Sequence, residues 1–224
     1  MIPVRPCPFD LSPAEAEALQ RAWADDVVED DRLGSVRRIA GVDVAYEKGG
    51  DRVYAAVVVL DAATLEVVEE ATHAATATFP YVPGLFSFRE LPPVVACFGK
   101  LRAPPDLVVC DAQGRAHPRR FGLACHLGVL FDVPTIGCAK TLLVGQHAAL
   151  GPSRGDRAPL VYEGDVVGAA LRTRDRVKPV YVSIGHRVSI DTATRAVLGL
   201  APRYRLPETT RAADQRVNAL RRGN

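Results

Sequence analysis

The chain has 224 residues, 48% of them hydrophobic and 24% charged. That length and balance suit one α/β domain spanning residues 1–224 and exclude disordered and fibrous classes. With a net charge of only +2, any nucleic-acid contact has to come from a local patch rather than a generally basic surface.

The first predicted element is a helix opened by Ser12-Pro13-Ala14-Glu15, where Ser12 can cap, Pro13 fits the first turn and Glu15 can close a capping box. Leu19, Ala22, Trp23 and Val27 form its apolar stripe. Three strands follow: Arg37 to Tyr46 with Asp43 inside it, the apolar run Val53 to Leu60, and Leu65 to Thr78 after a turn at 61–64. Short turns between successive strands predict an antiparallel meander. The loop Pro80-Tyr81-Val82-Pro83-Gly84 leads to a helix with Leu91, Val94, Val95, Phe98 and Leu101 at helical spacing. Pro92 and Pro93 place its start near Arg89-Glu90, because proline is tolerated only in a first turn.

Asp106 to Cys110 is wholly apolar after its first residue, as a buried central strand would be. A turn at Asp111-Ala112-Gln113-Gly114, a helix over Phe121 to Phe131 and a strand over Thr135 to Cys138 complete a βαβ unit. The polar stretch Gly151 to Pro159 reads as an exposed loop. Pro179 to Ile184 reads as a strand and Ile190 to Leu200 as a helix. The Arg-rich tail reads as helical after Pro207.

Five cysteines, an odd number without a C-x-x-C pair, argue against a disulfide framework or a zinc site. No basic-then-apolar leader and no apolar run of about 18 residues occurs. The expectation is a cytoplasmic protein away from membranes. Nothing in the sequence calls for an oligomer, so a monomer is expected.

A meander followed by parallel βαβ elements is the arrangement of the ribonuclease H-like fold, an α/β class with a mixed central sheet flanked by helices. Asp43 lies within the first strand and Asp111 where the buried strand ends. They would stand side by side if those strands pair. A charged aspartate in an apolar strand is costly unless paired or bound to a cation. Oxygen ligands without a thiolate or histidine cluster point to magnesium or manganese. A strand-end aspartate bonded to backbone is the plainer reading of Asp43. A dipole-favoured carboxylate is the plainer reading of Glu90.

His117 follows a central strand end, where α/β sheets bind ligands. Lys140 comes after the next strand on the same expected edge. Gly137-Cys138-Ala139-Lys140-Thr141 lacks the spacing of a phosphate-binding loop, which excludes that reading. His186, in Gly185-His186-Arg187, and Asp191, in the first turn of the helix after it, are both candidates to complete a metal site.

Together these segments resemble the endonuclease V family. The matching stretches are Ile39 to Tyr46, Pro80 to Leu85 with Phe88-Arg89-Glu90, Asp111 to Gly114 with His117-Pro118-Arg119, and Thr135 to Lys140. Gly185-His186-Arg187 and Tyr204 to Arg211 complete the set. They occur in the family's order along nearly the whole chain. The resemblance implies a DNA repair endonuclease that uses magnesium, with manganese able to substitute. It would nick damaged DNA at the second phosphodiester bond 3′ to a deaminated base such as deoxyinosine.

The resemblance makes Asp43 and Asp111 metal ligands, with Glu90, Lys140 and His186 in the catalytic set. It places Tyr81 and Pro83 in a wedge, and Gly84, Leu85, Gly114 and His117 around the flipped base. Inosine-containing RNA is the alternative substrate. A catalytically dead nucleic-acid binder is disfavoured, because Asp43, Glu90 and Asp111 would repel phosphate unless metal intervenes.

Overall fold

In the computed structural model, which describes Met1–Gly223, α1 (Pro13–Ala24) begins at the expected capping box. The Ser12 hydroxyl accepts from the Glu15 amide, and the Ser12 amide donates to the Glu15 carboxylate at 2.8 Å. β1 (Arg38–Tyr46), β2 (Arg52–Asp61) and β3 (Val67–Thr76) then form the antiparallel meander. The strand order of the eight-stranded sheet is β3-β2-β1-β4-β5-β8-β7-β6, with β4 (Leu107–Cys110) and β5 (Thr135–Ala139) at its centre. β4 is parallel to both β1 and β5, whereas β8 (Val180–His186) runs antiparallel to β5. The result is the mixed sheet with flanking helices that the sequence predicts.

Side-chain alternation sorts β1 between two layers. Ala40 and Val42 pack in a cluster with Leu91, Val94 and Phe98 of α2 (Phe86–Phe98) and Leu127 and Leu130 of α3 (Leu123–Phe131). Gly41 and Ala45 face the other way, toward α5 (Glu208–Gly223), whose Val217 packs with Ala45. A second large cluster joins Val109 and Ile136 of the central strands to Val182 of β8 and Val197 of α4 (Ile190–Gly199). All five cysteines are free, as expected, and four are buried.

Two expectations are corrected. α2 starts at Phe86, ahead of Arg89, and encloses Pro92 and Pro93 in its interior. Each proline removes a helical donor. Burial of Leu91, Val94, Cys97 and Phe98 against the sheet outweighs that local preference. Second, the segment read as an exposed loop runs into β6 (Arg157–Tyr162), which forms a hairpin with β7 (Asp165–Leu171), a strand the sequence reading lacks. The turn is Glu163-Gly164, both at positive φ, 53° and 88°. Its first residue is not the asparagine or aspartate that advertises such turns.

Candidate active site

The parallel pairing of β1 and β4 sets Val42 opposite Cys110, so the next residues, Asp43 and Asp111, leave adjacent strands at the same level. The Asp111 amide donates to the Val42 carbonyl at 3.1 Å, which continues the ladder to that point. Glu90 comes from the second turn of α2, and Tyr46 Oη donates to its Oε1 at 2.7 Å. Because α2 begins earlier than expected, its first turn holds no acid, and the helix dipole does not account for Glu90. Lys140, directly after β5, places its ammonium on the Asp111 carboxylate as an ion pair; the Asp111 side chain is 7% exposed and that of Lys140 39%. Asp43 is held by the Val44 amide, which donates to Oδ1 at 2.9 Å.

These carboxyls resist ionisation. Burial, and then the neighbouring Asp111, push the Asp43 carboxyl up to about 7. Glu90 is also raised to about 7, by burial first and by Asp111 among the charges. Asp111 is raised by burial and restrained by Lys140, whose own affinity for its proton the pair raises. Removing water from clustered carboxyls is unfavourable, and positive charge reverses the sign.

The donor set is all carboxylate oxygen, which suits hard cations such as magnesium and manganese. Asp43, Glu90 and Asp111 line a cavity of about 40 Å³, room for one ion or water. The residues therefore fit a divalent ion by chemistry and space. Among the described residues no three His, Cys, Asp or Glu side chains are gathered in ligating geometry.

A larger pocket of about 310 Å³ adjoins this cavity, and Glu90, Asp111, Ala112 and Leu123 line both. Gly84 and His117 line the larger one, together with Gln20, Phe86 and Ser87. His117 is neutral: its Nδ1 accepts from the Arg119 amide at 3.2 Å, which leaves Nε2 to donate to the Gly84 carbonyl at 2.9 Å. Burial pushes its pKa down to about 4. Tyr81 stands at the rim, 67% exposed, with its ring 4.7 Å from that of Phe86; Pro83 is exposed beside it.

Four expected residues lie elsewhere. His186 pairs with Thr135 at the start of β5, because β8 is antiparallel to it, whereas Asp111 and Lys140 follow the other ends of β4 and β5. There His186 Nδ1 accepts from Val28 and Nε2 faces Asp132. Asp191 pairs with Arg157 at 2.7 Å at the start of α4, remote from the acids for the same reason. The Gly114 amide donates to Ser183 Oγ, and its carbonyl accepts from the Gly122 amide. Both of its backbone groups have partners within the fold, and it lines neither cavity. The Leu85 side chain is buried among Ala16, Phe79 and Phe88, with its amide given to Val82.

One acid was missed. Asp214 of α5 sits close enough to Asp43 and Asp111 to oppose the ionisation of both and to favour the charge on Lys140. Its sequence signal is small: an aspartate beside Ala213, the buried face of an otherwise Arg-rich helix.

The sequence model of the family described as Endonuclease V matches residues 21–215. An endonuclease V of Myxococcus xanthus is 52% identical over 217 residues, 96% of this chain and 92% of its own length. The crystal structure of the Streptomyces avermitilis endonuclease V superposes with a TM-score of 0.92 at 50% identity, covering 97% of both chains. An endonuclease V of Ciona intestinalis, crystallised with a 24mer DNA containing an inosine followed by a ribo-adenosine, gives a TM-score of 0.83 at 27% identity, covering 94% of this chain and 98% of its own. Over nearly its whole length, and in the fold that brings Asp43 beside Asp111, the chain belongs to the endonuclease V family.

Proposed function

We propose that this chain is a repair endonuclease that nicks DNA at the second phosphodiester bond 3′ to a deaminated base such as deoxyinosine. Magnesium would be its cofactor, with manganese as a substitute. The observation that carries the reading is the shared wall of the two cavities, Glu90, Asp111, Ala112 and Leu123. A base drawn into the larger pocket leaves its own backbone close to the acids. Its volume falls within the range of small-molecule pockets. A pocket of this kind reads a base only after the nucleotide leaves the stack. The exposed ring of Tyr81 at the rim is suited to fill the vacated space.

Asp43 and Asp111 would hold the divalent ion, with Glu90 and Asp214 adding negative charge around it. Such an ion supplies Lewis acidity toward the phosphate and acidifies water. Lys140 presents a fixed ammonium where charge develops on the phosphate, held in place by Asp111. Tyr46 orients the Glu90 carboxylate through its hydroxyl. Without the ion the acids would repel the phosphate backbone, so binding and cleavage respond differently to their removal.

The test compares wild type with Asp43→Ala on an inosine duplex. The variant is expected to lose nicking by about a thousandfold or more while still binding the duplex without metal. Nicking at wild-type rate would sink the assignment. A riboinosine strand is the second arm, because the Ciona relative was crystallised with a ribonucleotide after its inosine. Faster cleavage of that strand would move the substrate to RNA.

A further inference from the structure

Gln20 is a polar residue on the buried side of α1, 1% exposed, directly before the segment that the family model matches. Its carboxamide uses both donors and one acceptor site. Nε2 donates to the Gly84 carbonyl at 3.1 Å and to the Phe121 carbonyl at 3.0 Å. Oε1 accepts from Arg119 Nε at 2.5 Å. Two carbonyl partners on one end and a guanidinium on the other allow only one orientation of the amide.

The target of this contact is unusual. The Gly84 carbonyl also accepts from His117 Nε2 and from Arg119 Nη2, each at 2.9 Å. Three donors thus converge on one peptide oxygen at the end of the Tyr81–Gly84 loop. Gly84 itself has a φ of +80°, and a Cβ there would stand 2.8 Å from Arg119 Nη2. Arg119 is held from outside by Glu17 Oε1 at 3.2 Å. α1, the loop carrying Tyr81, and the loop carrying His117 are therefore tied at one atom, and Gln20, Gly84 and His117 all line the larger pocket.

We propose that Gln20 is a positioning residue for substrate recognition: with Arg119 it fixes the Gly84 carbonyl, and so sets the wall of the base pocket and the stance of the Tyr81 rim. This rests on the reading of the larger pocket as the site of the extruded base. Gln20 is separated from the acids by that pocket, so it governs how well the lesion is seated rather than the hydrolytic step. Holding a recognition surface in advance of binding lowers the ordering cost of the complex.

The experiment uses the full chain with Gln20→Met, which keeps the side-chain size and removes the hydrogen bonds. Two quantities are read: amide hydrogen exchange over residues 81–88 without DNA, and the steady-state constants for an inosine duplex. The expected result is faster exchange in that segment, with KM raised about tenfold, the scale of one buried hydrogen bond, and kcat within about threefold. Unchanged exchange overturns the proposal, and so does an unchanged KM or a loss confined to kcat. If Gln20→Met does not fold, Glu17→Ala removes the outer support of Arg119, together with a loose exposed pair to Arg21 at 3.7 Å, and is expected to shift the same two readings in the same direction by less. No shift in Glu17→Ala would then overturn the proposal. A wild-type protein that nicks no inosine substrate refutes the proposed function, and the exchange measurement alone then decides the clamp.

Discussion

Asp43 and Glu90 keep their protons to about pH 7 in the folded protein, far above an unfolded carboxyl near about 4. A carboxyl raised in this way contributes stability that is complete below its unfolded pKa and is lost as pH rises through its folded one. Without metal, the pair therefore makes stability fall as pH rises from about 4 to about 7, and the loss persists above that range. Buried neutral groups such as His117 act in the opposite sense, so the signal lies in a difference. In EDTA, the double variant Asp43→Asn/Glu90→Gln is expected to gain in Tm on wild type as pH is raised from about 5 to about 8. Parallel melting curves across that range would show that the carboxyls are not held protonated. Asp214 of α5 adds to the same repulsion. A cation placed among these carboxyls would offset that repulsion.

At the level of elements, the site depends on how closely α5 approaches β1. Gly41 makes that approach possible: a Cβ there would meet the Thr209 carbonyl at 2.0 Å, a backbone atom that cannot swing aside. Gly41→Ala is expected to cost about 2 kcal/mol by overpacking, read as a lower denaturant midpoint, and to move Asp214 away from Asp43. An unchanged midpoint would mean that α5 shifts freely.

The legible parts of the fold are those whose evidence is local. Asp43 and Asp111 stand out because each interrupts or ends an apolar strand; that they stand side by side depends on β1 pairing with β4, which the sheet shows and the sequence leaves conditional. Asp214 was hidden because its role arises only when the C-terminal helix folds back on the first strand. His186 misled because a strand's direction is invisible in its composition, and an antiparallel β8 carries its end to the wrong edge. The start of α2 was hidden by its prolines, whose local cost tertiary burial overrides.

For the molecule as a whole, a net charge of +2 leaves recognition to placement rather than to bulk attraction. The acids line a small cavity that adjoins the larger pocket, and the exposed ring of Tyr81 packs on Phe86 of that pocket's lining. Among the described residues no helix is long and apolar enough to cross a membrane. The proposed function ties three properties to this arrangement: which base is chosen, which bond is cut and which ion is needed. One measurement addresses all three. An end-labelled duplex with a single central deoxyinosine is incubated with the protein in magnesium and, separately, in EDTA. The account predicts one cut, at the second phosphodiester bond on the 3′ side of the lesion, in magnesium only. Cutting that ignores the inosine, falls at another bond or persists in EDTA would contradict it.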